Sequence, residues 1–335
     1  MPTVSSNPFS IEQESLVRAA TLAASSHNSQ PWLFELSNDL VRVLPDLRRR
    51  CPVVDPDEHH LYVSLGCATE NLAVAAHASG RLTEVSVGAT ESGTSVIEVR
   101  LTGGLEQDAG LANAIARRQC SRAKYEERSV SSDTLTLLER AATRMGVNAI
   151  VITDAARKAA VADWVAQGNT VQINDPDWRR ELVGWLRFNE REARDAGDGL
   201  WSRTTGNPDV PRLLGKAGLP FFLNPRAQNR KDVPWTRGSA GIIVFVADQD
   251  DARHWIEVGR CYQRFALQAT ALGLCSTFIN QPIEVPGLRR QFATWLGLGA
   301  HRPDLVVRFG YGPEMPRSLR RPLTDVIVAR GTHTS

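Results

Sequence analysis

Two stretches far apart in this chain can be laid on one another without a gap. Residues 66–80 (GCATENLAVAAHASG) align with residues 259–273 (GRCYQRFALQATALG), and each opens on a glycine and closes on one. Alanine-rich runs of this length favour helix, and a glycine just past the last turn is the usual C-terminal cap. Small side chains let helix backbones approach closely, so the spacing predicts two central helices packed together, one from each of two related halves. Alanine-rich helices also resemble one another by chance, so the duplication is an expectation for the structure to meet.

The rest of the chain can be arranged around this pair. Residues 11–25 carry a helical period behind Ser10 as N-cap, with Glu12 and Glu14 in the first turn. Residues 33–44 alternate as a strand pair turning at Asn38-Asp39, and the first long helix spans about 60–79. Residues 84–88 and 95–101 read as a hairpin around Ser92-Gly93. The pattern then restarts, with helices at 111–118, 133–145, 155–173 and 255–272, and strands at 149–153, 241–247 and 305–311. The expected fold is α+β, with antiparallel or mixed sheets around long central helices, a first half over 1–106 and a second over 107–335. Within the second half, residues 187–237 match nothing in the first and show no clear period. They are rich in proline and glycine (RTTGNPDVP, GKAGLPFFLNP), with Trp201, Phe221, Phe222 and Trp235 interleaved. That many aromatics argue against a disordered linker and for a lid.

Composition excludes several functions. With 39 Lys and Arg against 37 Asp and Glu the net charge is +2, too balanced to draw nucleic acid or a membrane surface. The five cysteines (Cys51, Cys67, Cys120, Cys261, Cys275) are scattered, with no C-x-x-C pair. That fits neither a disulfide framework nor a zinc site, and suits a reducing compartment. No secretory leader is visible in residues 1–10 and no apolar run spans a bilayer, so a soluble cytoplasmic chain is expected. The motifs G-x-G-x-x-G, G-x-x-x-x-G-K-[ST] and G-x-S-x-G are absent. Residues 55–60 (DPDEHH) hold metal-type side chains, but neighbouring histidines on a helix diverge and no H-x-x-x-H follows. The acidic run is read as a helix cap, and no metal is expected.

Four segments remain as candidates for chemistry. Residues 25–32 (SSHNSQPW) crowd short polar side chains and exposed backbone into a turn, as a flat heteroaromatic ring edge requires. Residues 117–122 (RRQCSR) place Arg118 and Arg122 four apart, on one face if the helix continues, with Ser121 between them. Two guanidinium forks and a hydroxyl suit a phosphate. Residues 317–322 (RSLRRP) add Arg320 and Arg321, which can converge on the same phosphate. Residues 274–281 (LCSTFINQ) offer small residues to a ring face. From spacing alone each has a plain alternative: a helix-ending loop, a solvated basic patch, a charged tail.

In order and spacing these segments resemble the nitroreductase family, and within it the Acg-type, fused-dimer proteins that bind FMN. The resemblance rests on S-S-x-N-x-Q-P-W at 25–32, R-x-x-x-R at 118–122 with VSSDTLTLLERAA following, A-L-G-L-x-x-x-F at 271–278 and F-G-Y-G at 309–312. Ordinary members are homodimers whose FMN lies between subunits, its phosphate held by one and its ring met by the other. Here the serine-rich turn occurs only in the first half and the arginine segments only in the second. The resemblance therefore implies one complete FMN site per chain, in a monomeric pseudo-dimer or a dimer of it. It places Arg118, Ser121, Arg122, Arg320 and Arg321 at the phosphate, and Ser25, Ser26, His27, Asn28 and Gln30 at the ring. Ser276 and Thr277 then lie beside the redox centre, and no side chain is required as a catalytic acid or base. Cys120 stands where many relatives have serine or threonine. The implied activity is FMN-dependent reduction of a small-molecule acceptor, a nitroaromatic or quinone-like electrophile, with NAD(P)H as donor. The alternative is a flavin-sequestering or storage protein whose lid occludes the FMN.

Overall fold

Ser10 is the N-cap of the helix Ile11–Thr21. Its Oγ accepts the Gln13 N–H at 3.1 Å while the Gln13 side chain accepts the Ser10 N–H at 3.3 Å. The computed structural model describes residues 10–91, 93–104 and 109–329. The proposed turn residue Ser92 and the 106/107 division lie outside these.

Two sheets flank the long helices. The first has the order Ile327–Val328, Trp32–Ser37, Leu40–Pro45, Ser95–Gly103, Arg81–Ala89. Its pairs are antiparallel except the first, where Phe34 faces Ile327 in parallel register. A strand from near the C-terminus thus completes a sheet otherwise drawn from residues 32–103. The second sheet is antiparallel, in the order Val147–Ile152, Gly241–Ala247, Pro303–Gly310, Cys275–Phe278. The last of these falls within residues 274–281, a run that shows no strand period in the sequence. Every residue of Gly241–Ala247 is buried because both faces are covered. Ile243 and Phe245 pack on the central helices at Tyr262 and Phe265, while Ile242 and Val244 pack outward against Val161 and Phe292. The architecture is α+β, as expected. No helix among the described residues is long and apolar enough to cross a membrane.

The central helices are His59–Ala78 and Ala252–Ala271, each 20 residues long. They cross on glycine rather than on the alanine face expected from sequence. A Cβ on Gly66 would lie 2.0 Å from the Ile256 carbonyl oxygen, and one on Gly259 would lie 2.0 Å from that of Val63. One turn further on, Gln263 Nε2 donates to Asn71 Oδ1 at 2.7 Å and Arg264 Nε donates to Glu70 Oε1 at 2.7 Å. In the gapless alignment Val63 matches Ile256, Gly66 matches Gly259, Glu70 matches Gln263 and Asn71 matches Arg264. Each contact therefore recurs with the two helices' roles exchanged.

Glu70 is fully buried and also meets Arg260 Nε at 3.1 Å and Arg144 Nη1 at 3.4 Å. Burial alone would raise its pKa, but Arg260, Arg264 and Arg144 together hold it below the ordinary value. A depressed carboxylate contributes stability that is complete above the unfolded-state pKa and is lost as pH falls through the folded one. Glu70→Gln is therefore expected to flatten the acid limb of the stability–pH curve, measured by urea unfolding across a pH series. An unchanged slope would remove Glu70 from acid sensitivity.

The unmatched segment is helical where no period was visible. After the short parallel pair Leu186–Arg187 and Leu200–Trp201 come helices Arg212–Phe222 and Pro225–Arg237, with Glu190–Ala196 lying between the paired strands. Asn189 and Asn224 cap the first and last of these, accepting from Glu192 N at 3.0 Å and Ala227 N at 2.8 Å. Pro225 sits in the first turn, where its missing N–H costs nothing, although Pro234 interrupts the same helix later. The helix Pro225–Arg237 lies on Ala155–Asn174, with Asn169 Nδ2 donating to Asn229 Oδ1 and Asp232 Oδ2, both at 3.0 Å.

Candidate functional site

The serine-rich turn has a backbone that its sequence does not advertise. His27, Asn28 and Gln30 have φ values of 49°, 54° and 52°, a left-handed conformation that non-glycine residues adopt at a cost. Side chains hold it there. Ser25 Oγ accepts the Gln30 N–H at 3.0 Å. Asn28 Nδ2 donates to Gly199 O and Leu319 O, both at 3.1 Å, and Asn28 Oδ1 accepts from Arg320 Nη1 at 2.9 Å. Gln30 Nε2 donates to Gly197 O at 2.8 Å, and Gln30 Oε1 accepts the Arg321 N–H at 2.9 Å. The turn is thus clamped between the 197–199 loop and residues 319–321.

Two joined cavities open against this turn. The smaller, about 100 Å³, is lined by Asn28, Arg118, Arg122, Thr204, Arg317 and Arg320. The larger, about 290 Å³, is lined by Ser26, His27, Phe278 and Glu284 among others, beneath Leu223 and Gln228 of the unmatched segment. Ser25, Cys120, Arg122 and Leu200 line both. A more open hollow of about 500 Å³ between residues 127–130 and 237–240 contains none of the candidate residues, so chemistry favours the joined pair.

The arginines part company here. The helix Ala109–Ile115 ends before Arg118, so Arg118 and Arg122 occupy a loop and do not share a helix face. Arg118 Nη2 donates to Leu22 O at 2.9 Å, while its Nε is buried without a partner among the described residues. Arg122 stands where the cavities meet, with no hydrogen bond or ion pair recorded among the described residues. Arg320 is occupied otherwise: it donates to Thr21 O at 2.7 Å, Leu22 O at 3.3 Å and Ala23 O at 3.2 Å, closing the end of the first helix. Burial, then Arg118, pulls its pKa down to about 9. Arg321 lines neither cavity; it donates to Gln30 O at 3.1 Å and lies 3.6 Å from the Asp46 carboxylate. The expected convergence of Arg320 and Arg321 on one point does not occur.

Other candidates are similarly divided. Ser121 is buried, its Oγ donating to Pro313 O at 3.4 Å, and Gln30 is fully buried; neither lines a cavity. Ser276 and Thr277 are buried in their strand beside Phe309 and Arg308, and it is the next residue, Phe278, that reaches the larger cavity. His27 lies with Nδ1 3.3 Å from Ser26 Oγ. Its pKa is pushed down to about 4 by burial, then by Arg122 and His60, so the ring is neutral near pH 7. Burial would raise the Cys120 thiol, but Arg118 and Arg122 draw it below its ordinary value.

Several lining residues are not among the site candidates, although Arg317 and Ser318 lie in the arginine run 317–322 and His60 in the metal-type run 55–60; Gln172 and Glu284 lie outside every candidate segment. Arg317 and Ser318 join the smaller cavity, and His60, Gln172 and Glu284 the larger. The metal-type run is gathered as well: ligand atoms of Asp55, His59 and His60 lie within 4.8 Å of one another. Both Asp55 oxygens already accept backbone N–H groups, from His60 and Leu61 at 2.9 Å each, so this carboxylate caps the helix as expected. Arg49 is not a site candidate from sequence. It bonds Ser29 O and Asp198, and Arg187 Nε donates to the same carboxylate at 3.1 Å, fastening the unmatched segment to the turn.

No family model matches the chain. It is 27% identical over 318 residues to the Mycobacterium tuberculosis H37Rv protein named "Putative NAD(P)H nitroreductase Rv3131", covering 92% of this chain and 88% of that one. It is 23% identical over 331 residues to "Putative NAD(P)H nitroreductase acg" of the same strain, covering 95% of each. Among solved structures it is similar to the FMN-dependent nitroreductase NfnB from Mycobacterium smegmatis in complex with NADPH, at 16% identity and a TM-score of 0.43, over 68% of this chain and 98% of that one. A nitroreductase with bound FMN from Bacteroides fragilis aligns at 16% identity and a TM-score of 0.38, over 67% of this chain and 97% of that one. The likeness of this chain to the nitroreductase family, acg among its relatives, is thus shown along nearly its whole length.

Proposed function

We propose that the joined cavities take one FMN per chain and that the protein uses it to reduce a flat electrophile, a nitroaromatic or a quinone, with NAD(P)H as donor. The observation that carries this is Arg122. A guanidinium with no recorded protein partner, at the junction of two cavities and near the buried unpartnered Nε of Arg118, suits an anion. Arg317 and Arg320 bring the arginines lining the smaller cavity to four, which fits a phosphate dianion. Ser26 and neutral His27 give the larger cavity the hydrogen-bonding edge that the ring needs. When bound, FMN supplies hydride acceptance and donation at its ring. The chain's share is to hold it, exclude water and control access. The reciprocal helix contacts support reading the chain as two related halves that together form a single site.

The segment 187–237 decides whether that site turns over. A second reading, flavin sequestration, is favoured by the ion pair of Asp198 with Arg49, which ties the cover to the serine-rich turn, while Arg187 of the cover itself holds the same carboxylate in place. The FMN-loaded protein mixed anaerobically with NADPH distinguishes them, since bleaching of the flavin reports reduction. Asp198→Ala releases both arginines and is expected to speed bleaching roughly tenfold, the rate equivalent of one lost charge-assisted bond of about 1.5 kcal/mol. Bleaching absent from both proteins would favour sequestration, and failure to bind FMN would end both readings.

A further inference from the structure

Two residues that line the larger cavity also line a third, of about 20 Å³, on its far side: His60 and Glu284. That smaller space holds about one water and is bounded by Asp57, Arg289 and Arg302. His60 and Glu284 are therefore the partition between the two spaces, with His60 Nε2 lying 3.7 Å from Glu284 Oε1.

Behind the partition runs a line of buried polar groups. His60 Nδ1 is 3.3 Å from His59 Nδ1, and His59 Nε2 is 2.9 Å from Asp304 Oδ1. The other carboxylate oxygens are fixed, Asp304 Oδ2 accepting the Ala247 N–H at 2.7 Å and Glu284 Oε2 accepting from Gln172 Nε2 at 2.6 Å. Trp255 packs edge-on against His59 at 5.3 Å between ring centroids.

We propose that Asp304, His59, His60 and Glu284 form a proton store, and that Glu284 delivers its proton to the acceptor bound in the larger cavity. This rests on the reading given under Proposed function. The line can be drawn in two directions. In one, Asp304 is the carboxylic acid, its O–H donates to His59 Nε2, His59 Nδ1–H donates to His60 Nδ1, and His60 Nε2–H faces the Glu284 carboxylate across 3.7 Å, a gap that must close for the last transfer. Shifting each proton one link reverses every bond, leaving Asp304 ionised and Glu284 protonated. Reduction of a quinone by hydride adds two electrons and one proton. The second proton, which completes the hydroquinone, leaves Glu284 as its O–H bond breaks. Water in the small cavity restores it between turnovers.

The surroundings stabilise the neutral acid at whichever end holds the proton. Burial first, then Asp55 and Glu181, lifts Glu284 against the lowering pull of His60 and Gln172. Burial lifts Asp304 to about 7, with Asp250 adding to it and Arg302 and Arg289 opposing. His60 is lowered by burial, with Arg302 and Arg289 lowering it further and Glu284 and Asp57 opposing; His59 is lowered by burial and the positive side of His60.

Infrared spectroscopy of the FMN-free full chain, with pH raised through neutrality, tests the store without turnover. A protonated-carboxyl band shared by Asp304 and Glu284 is expected in wild type and is expected to change position in Glu284→Gln, where Asp304 alone carries it. In the FMN-loaded, pre-reduced protein, reoxidation by benzoquinone is compared with reoxidation by ferricyanide, which takes electrons without a proton. Glu284→Gln is expected to slow benzoquinone relative to ferricyanide by roughly 10²-fold, the lower range for a lost general acid, and to flatten its pH dependence. Asp304→Asn is expected to slow the same ratio less. Equal slowing of both oxidants, or a band unchanged in Glu284→Gln, overturns the proposal. A wild type that binds no FMN overturns the functional reading instead, and the band still decides whether the pair is protonated.

Discussion

Alanine at Gly259 is expected to destabilise the chain by about 3 kcal/mol, and valine by more, enough to leave it largely unfolded at modest urea. The added Cβ would sit 2.0 Å from the Val63 carbonyl oxygen, 2.8 Å from its carbon and 3.1 Å from the Cys67 nitrogen. All three are backbone atoms of the opposing helix, so no side chain can rotate away. The helices must separate, and the packing of Leu65, Tyr262 and Phe265 in the shared core separates with them. Gly287 is the control: it lies in the helix Pro286–Leu296, with nothing within 4 Å of an added Cβ. Gly287→Ala should be neutral or slightly stabilising. Urea midpoints measured together decide the matter, and a Gly259→Ala protein as stable as Gly287→Ala would mean that the crossing does not govern stability.

Arg122→Ala is expected to weaken FMN binding by roughly 10- to 100-fold, the equivalent of about 1.5–3 kcal/mol for a charge-assisted hydrogen bond. Its guanidinium has no recorded structural partner to lose, so the FMN-free protein should keep its thermal midpoint. Arg320→Ala should behave in the opposite way. That side chain closes the end of the first helix and holds Asn28, so its loss should lower the midpoint of the FMN-free protein. Fluorescence titration with FMN and thermal unfolding of the same two variants separate the roles. Unaltered FMN affinity in Arg122→Ala would remove the observation on which the proposed function stands.

What could be read from sequence was what depends on neighbours along the chain. The central helices, the Ser10 cap and the capping role of Asp55 follow from local chemistry, and each sits within a few residues of its expected place. The serine-rich turn was legible as a turn because of its Asn, Ser and Pro. Its left-handed backbone was not, since Asn28 and Gln30 are held there by residues 197–199 and 319–321. The arginines illustrate the same limit. A guanidinium aimed at a ligand and one closing a helix look identical in sequence; the carbonyls of Thr21, Leu22 and Ala23, with Asn28 Oδ1, distinguish Arg320 from Arg122. The covering helices were missed because Pro234 and several glycines break the period that would have announced them. His59 and His60 do diverge as adjacent helical residues should, yet their Nδ1 atoms meet, and their outer nitrogens reach carboxylates at Asp304 and Glu284.

The strand Ile327–Val328 has a consequence for how the chain is made. It lies beside Trp32–Ser37 at one edge of the first sheet, and Arg320 closes the helix that precedes that strand. On the ribosome the strands within residues 32–103 emerge long before either partner exists. The edge at Phe34 must then wait, with unpaired backbone groups, until synthesis has passed residue 328. A contact this distant in sequence closes late, because its loop entropy is met only once the intervening chain is ordered. Premature termination after the second sheet would thus release a chain with a nearly complete core, a bare sheet edge and a strong tendency to pair with its copies.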